Sequence, residues 1–291
     1  MVSNGAAPSL SVVVTCMPGV SCKSEGEPAR FQPMPRFSAN ISMLFPEVEL
    51  PERFEAAARA NFKAVEIQFP YGWSKGQLGE VARRAGVEVV LINIPAGDPD
   101  KGDRGIACLP SRVAEFREGV ARAIDYARAL GCKQMNCLAG VAPPGIDGAI
   151  LRGTYVSNLR YAAGELARAG MTLLIEPINT RSAPGFYLNR SAQALALMDE
   201  AGAANLKLQY DLYHMRIMGD DLVKTIEAHL DRIGHIQVAD VPHRHEPGTG
   251  EIDFPFLFER IDRLGYKGWI GAEYVPAGKT EDGLAWARKY L

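Results

Sequence analysis

Four oxygen-bearing side chains, Glu176, Asp211, Gln237 and Glu273, close four hydrophobic stretches: LLIEPINT, LKLQYDLYHM, IGHIQVAD and WIGAEYVP. In the first, Leu173, Leu174 and Ile175 follow a helix-stopping Gly170, and Pro177 removes a backbone donor, so a strand should end where Glu176 begins. The separations of 35, 26 and 36 residues are each about one strand-helix unit. The four groups therefore meet only if their strands lie side by side in a parallel sheet. Three carboxylates gathered at neutral pH need a cation, and oxygen donors favour a hard divalent ion, Mg2+ or Mn2+, over a thiolate-seeking one. Taken singly, each residue has a plainer reading. A strand-end Glu can pair with an Arg or cap a helix, Asp211 can cap a turn, and Gln237 can be a satisfied buried amide.

Positioning such groups takes a repeated strand-helix unit, and from Phe37 onward that unit recurs eight times. The length fits the ~250 residues of a (β/α)8 TIM barrel of the α/β class, in which functional groups sit at the C-terminal ends of strands. Helices are expected over Ser111 to Leu130 with Gly131 as its stop, Ile150 to Ala169, Ser191 to Ala201, Asp221 to Leu230, Pro255 to Leu264, and from Glu281 onward. The strand period of two puts Leu174 with Glu176, Gln209 with Asp211, His235 with Gln237, and Gly271 with Glu273 on one inward face. Ile175, Ile236, Val238 and Ile270 then point outward beneath the helices. The loop from Pro95 to Pro110 is long for a βα connection, and such loops at a barrel rim usually hold substrate. The GTG at Gly248 to Gly250 lacks a following Lys-Ser/Thr and reads as turn chemistry rather than a phosphate loop.

With 291 residues, 47% of them hydrophobic, the chain suffices for one large core. Residues 36–291 read as a single barrel domain and residues 1–35 as an N-terminal extension rich in Ser, Pro and Gly, with one short strand candidate at Leu10 to Thr15. The first basic residue, Lys23, follows that apolar segment, which argues against a secretory signal; Met34 is an alternative functional start. A formal net charge of −2 without a long basic run argues against nucleic-acid binding and for a small-molecule partner. Five cysteines without a CxxC pair indicate neither a disulfide framework nor a zinc knuckle and fit a reducing, cytoplasmic setting. No apolar run approaches the ~18 residues of a membrane span. Aromatic residues such as Phe116, Tyr161 and Trp286 either line a homo-oligomer interface or cover the barrel.

The segments FSANISMLF, FPYGW, LPSRVAEFREGV, LIEPINT, QYDLYHM, ADVPHRHEPGTGEID and GAEY together resemble the hydroxypyruvate isomerase family of xylose isomerase-like barrels, from about Met34 to the C-terminus. The resemblance implies interconversion of hydroxypyruvate and 2-hydroxy-3-oxopropanoate (tartronate semialdehyde) with a divalent metal. It also implies metal ligands at the ends of strands five to eight, which fall on Glu176, Asp211, Gln237 and Glu273. Sugar epimerases of this barrel type usually carry His at the third of these positions, so Gln237 departs from them and agrees with the hydroxypyruvate isomerase branch.

Moving a carbonyl between adjacent carbons takes one proton from carbon and returns one to its neighbour through a cis-enediolate. Glu176 and Glu273 are the expected catalytic pair for that exchange, with the metal stabilising the enediolate. The substrate carboxylate calls for a cation, for which Arg244 and His214 are the candidates by position, His214 alternatively bonding a substrate hydroxyl. Glu66 and Asn93 are expected to complete the substrate pocket, ahead of Asn179 and His243. Competing readings are an isomerase or epimerase for a longer acid sugar such as a 2-oxo-tetronate, a DNA-repair endonuclease, which would need several histidines and a basic groove, and a sugar-acid binding protein.

Overall fold

Short β-branched and aliphatic runs alternate with amphipathic helices along the chain, and each run is buried on both faces, as a parallel strand requires. In the computed structural model, which describes Met1 and residues 35–291, eight such strands close into a barrel in chain order, every neighbouring pair parallel. The strands are β1 (Arg36–Asn40), β2 (Ala64–Ile67), β3 (Glu88–Asn93), β4 (Gln134–Asn136), β5 (Thr172–Ile175), β6 (Leu206–Asp211), β7 (Ile233–Val238) and β8 (Trp269–Ala272). The expected strand at Leu10 to Thr15, Cys16, Cys22 and the alternative start at Met34 lie outside the described residues.

The helices are α1 (Leu50–Arg59), α2 (Lys75–Ala85), α3 (Val113–Leu130), α4 (Gly148–Arg168), α5 (Ser191–Ala201), α6 (Leu212–Ile217), α7 (Leu222–His229) and α8 (Phe254–Arg263). Gly131 ends α3 at φ 70°, a left-handed conformation that costs a residue with a Cβ about 1 kcal/mol. Two elements depart from expectation. Helix α6 starts directly after β6, because the Asp211 carboxylate accepts from the Tyr213 and His214 amides at 2.8 and 3.2 Å and nucleates a turn there. The last segment, Thr280–Ala287, is a 3-10 helix rather than an α-helix. Gly283 weakens α-helix propensity at its middle and lets the Glu246 carboxylate approach where a Cβ would stand 2.3 Å from Oε1.

Ile175, Ile236, Val238 and Ile270 are fully buried in the hydrophobic layer between wall and helices, as the period of two requires. Phe116 lies in that same layer, and Trp286 packs on it edge-on to Phe37 at 5.0 Å, so both cover the barrel. Tyr161 is partly buried, with the Arg117 guanidinium 4.7 Å from its ring centre. The barrel interior is polar: Ser38, Asn40, Glu66, Asn136, Gln209, His235 and Gln237 are all buried. Burying polar groups is tolerable only when they satisfy one another, and here they do so largely as a bonded column beneath the C-terminal rim. Among the described residues no helix is long and apolar enough to cross a membrane.

Candidate active site

Glu176 and Glu273 each follow the last residue of their strands, β5 and β8, and Asp211 ends β6. Parallel register places Asp211 beside Gln237 and Gln237 beside Gly271, so the expected ligands share one rim. Glu176 Oε2 accepts from Asn136 Nδ2 at 2.6 Å. Glu273 is held far more tightly: Oε1 accepts from Arg244 Nη2 at 2.7 Å and Gln68 Nε2 at 3.0 Å, and Oε2 from Asn40 Nδ2 at 2.9 Å and from Gln237 Nε2. Gln237 directs its nitrogen to the carboxylates and its oxygen to Gln209 Nε2 at 2.6 Å.

Burial and the repulsion of Glu273 and Asp211 push the Glu176 carboxyl well above its ordinary range. Burial likewise pushes Glu273 up to about 8, with Arg244 opposing and Asp211 reinforcing the shift. The counter-charge is Arg244, whose Nη2 also lies 3.9 Å from Asp211 Oδ2 and whose guanidinium sits 5.4 Å from the Tyr213 ring centre. Arg244 has φ 60°, unusual for a side-chain-bearing residue, and is pinned there by its N–H to Asp240 O and by Val275 N–H to its own carbonyl, at 2.9 and 2.8 Å.

The loop presenting Arg244 is organised by one carboxylate. Asp240 Oδ1 accepts from the Val241 and Ile252 amides and Oδ2 from the Gly248 and Gly250 amides, at 2.8 to 3.1 Å. A Cβ on Gly250 would lie 1.8 Å from Val241 O. The Gly-rich stretch is turn chemistry, as its residues suggest.

His214 lies on α6 with Nε2 facing Asp211 Oδ2 at 3.7 Å and Glu176 Oε1 at 3.9 Å. Asn179 Oδ1 accepts from the Ser182 amide at 2.7 Å, so its Nδ2 faces His214 Nδ1 at 2.6 Å. Nδ1 is thereby an acceptor and the ring proton resides on Nε2, aimed at the carboxylates. Burial holds this imidazole neutral, its pKa lowered to about 4 despite Asp211.

One cavity of about 660 Å3 opens on this rim, lined by Asn93, Glu176, His214, Arg244 and Glu273 together with the long β3–α3 loop from Pro95 to Arg104. Glu66 is placed elsewhere. It sits within β2 facing Asn40, one layer below the rim, and the period of two brings Gln68 to the cavity instead. Asn179 acts behind His214, and His243 stacks near His245 on the loop. Asn40, Gln68 and Asn136 are site residues that strand-end reasoning passed over, whereas Gln209 is expected on the inward face without a role and Asn179 as a weaker pocket candidate. Extending the alternation rule to β1, β2 and β4 would have marked the first three.

Donor atoms of Glu176, Asp211 and His214 lie within 4.8 Å of one another. Asp211 Oδ2 is buried without a hydrogen-bond partner while Oδ1 caps α6. A buried, unpartnered carboxylate oxygen beside a second carboxylate fits a divalent cation, whereas the protonated His214 Nε2 suits hydrogen-bond donation better than ligation.

A profile described as xylose isomerase-like TIM barrel matches residues 54–290. Hydroxypyruvate isomerase of Escherichia coli (strain K12) is 51% identical over 257 residues, covering 88% of this chain and 100% of that protein. The chain belongs to the hydroxypyruvate isomerase family of xylose isomerase-like TIM barrels. Family membership makes it an isomerase. Within the family it is also similar to the 2-oxo-tetronate isomerase of Cupriavidus necator, 46% identical over 89% of this chain and 99% of that one. A solved structure described as AP endonuclease, family 2 from Brucella melitensis superposes with a TM-score of 0.87 at 42% identity, covering 88% of this chain and 99% of that one.

Proposed function

We propose that the chain interconverts hydroxypyruvate and 2-hydroxy-3-oxopropanoate, with Glu176 and Glu273 as the proton-transferring pair. The observation that carries this reading is two buried glutamates on β5 and β8, three strands apart around one rim, lining a single cavity beside an unpartnered aspartate oxygen. The resemblance to hydroxypyruvate isomerase supports the substrate. Glu176, Asp211, Gln237 and Glu273 would hold Mg2+ or Mn2+, which as a Lewis acid would acidify the substrate C–H and stabilise an enediolate.

The chain's own groups do the rest. One glutamate removes the proton from carbon and the other returns one to its neighbour, the roles exchanging with direction. Glu273 is fixed by four donors, so taking up a proton requires one of them to let go; Glu176, with one donor, has acceptor sites free for the migrating proton. His214 donates from Nε2 to a substrate oxygen, Arg244 pairs with the substrate carboxylate, and Asn93 lines the wall. The buried free thiols Cys108, Cys132 and Cys137 accord with a reducing, cytoplasmic setting.

A four-carbon 2-oxo-tetronate is the second reading. It is favoured by a cavity within the size range that takes drug-sized ligands, roomier than a three-carbon acid needs, and by the resemblance to the Cupriavidus enzyme. Both acids should be offered in deuterated water to metal-stripped protein and to protein reloaded with Mg2+ or Mn2+. Metal-dependent product from hydroxypyruvate carrying deuterium at carbon is expected. Turnover of the four-carbon acid alone would transfer the reading to that substrate, and product without deuterium would remove solvent-exchanging glutamates from the mechanism.

A further inference from the structure

Glu66 carries a carboxylate into the barrel interior, where it is 1% exposed. Its Oε1 accepts from Ser38 Oγ at 2.6 Å and faces His235 Nε2 at 2.7 Å. Burial works against its charge, and His235 together with the hydrogen bonds from Ser38 and Gln237 outweighs it, holding the carboxyl below its ordinary range. Its Oε2 accepts from Gln237 Nε2 at 2.9 Å and Asn40 Nδ2 at 3.3 Å. Those two amides are also the ones that grip Glu273 Oε2 from below. Each NH2 group therefore donates one hydrogen downward to Glu66 and one upward to Glu273.

That bridge has a directional consequence. An amide end can present either nitrogen or oxygen, and a bound cation would attract the oxygen. Glu66 Oε2 accepts from both amides, so each is held with its nitrogen toward Glu66. The amide plane of Gln237 is then fixed at the floor, with its oxygen turned toward β6, where Gln209 Nε2 meets it at 2.6 Å. Strand β8 is shaped around the same group: a Cβ on Gly271 would lie 2.0 Å from Glu66 Oε1, so only glycine leaves the carboxylate room two residues before Glu273.

We propose that Glu66 is the positioning residue of this site. Through the Asn40 and Gln237 amides it sets the Glu273 carboxylate and the direction of the Gln237 oxygen, and thereby the affinity for a divalent cation, while touching neither cation nor substrate. The inference rests on the reading of Gln237 and Glu273 as ligands. Groups behind metal ligands act in this way on affinity by about 10–100-fold.

The test is Mn2+ binding, followed by the loss of the free-ion signal in electron paramagnetic resonance, with thermal melts as a check on folding. Glu66→Leu should weaken Mn2+ binding about 10–100-fold. Glu66→Gln, which can keep its oxygen toward the two amides while Ser38 Oγ and His235 Nε2 turn to accept from its nitrogen, should lose less. Gly271→Ala should shift affinity in the same direction, although it removes no polar group, because its methyl displaces the carboxylate. Folded Glu66→Leu with unaltered Mn2+ affinity overturns the proposal; if that variant does not fold, unaltered affinity in Gly271→Ala or Asn40→Ala does so. Wild-type protein that takes up no Mn2+ overturns the metal reading and this inference together. Mn2+ binding that responds to these variants without hydroxypyruvate turnover leaves the inference standing and removes only the substrate.

Discussion

Glu176 and Glu273 share a residue type and a place just past a strand, yet their surroundings differ: one hydrogen-bond donor against four. Replacing either with Gln keeps its volume and abolishes its capacity to carry a proton. Glu176→Gln and Glu273→Gln should each lower kcat by about 10²–10⁴-fold in a coupled assay of hydroxypyruvate isomerisation, and both should lose solvent deuterium incorporation. A single surviving full-rate variant would remove that glutamate from the exchange. His214 depends on Asn179 for its tautomer, since Asn179 Nδ2 faces Nδ1 at 2.6 Å. Asn179→Ala releases the ring, so kcat should fall roughly tenfold, within what one positioned proton donor supplies. The 15N shifts of His214 should move from the Nε2–H form toward a tautomer mixture while Mn2+ affinity stays near that of the wild type.

The β7–α8 connection is the element that turns a barrel rim into this site. Asp240 satisfies four backbone N–H groups at once and leaves Arg244 in a left-handed conformation over Tyr213. Asp240→Ala orphans those donors. Urea melts should report a loss of about 2–3 kcal/mol, as partly solvated backbone groups recover water, and KM should rise because Arg244 loses its perch. Unchanged KM with lost stability would separate the loop from substrate binding. Much of this element could be read in advance, because Pro242, Gly248 and Gly250 mark turns wherever they occur. Helix α6 could not, since YDLYHM continues a strand-like pattern and the carboxylate that stops the strand is also the cap that starts the helix.

At the scale of the whole molecule, gathering carboxylates in a closed barrel ties stability to pH and to cations. Glu273 ionises at about 8 in the fold against 4.5 ordinarily, so its contribution is present below 4.5 and is lost as pH rises through 8. His214 runs the other way: its pKa falls from 6.5 to about 4, so its contribution is present above 6.5 and is lost as pH falls toward 4. Between pH 6.5 and 8 the carboxylates act without opposition from His214. Metal-free protein should lose melting temperature across that interval. Mn2+ at a hundred times its Kd should add about 2.7 kcal/mol and flatten the slope. A metal-free melting temperature that rises over the interval would contradict the burial of uncompensated carboxylates.

The eight-fold alternation, the strand ends at Glu176, Asp211 and Glu273 and the outward aliphatic face of Ile175, Ile236, Val238 and Ile270 follow from the order of residues alone. Periodicity, Gly stops and a Pro after the acid act over a few residues and need no knowledge of the rest of the chain. Which polar groups meet was decided only by closure of the barrel. Closure brings Asn40 and Glu66 from the first two strands against Gln237 and Glu273 from the last two, more than 165 residues away along the chain. No local pattern encodes that register. The depth of Glu66, the tautomer of His214 and the place of Gln68 at the rim are therefore properties of the closed sheet, set by side chains that compete for the same few buried donors and acceptors.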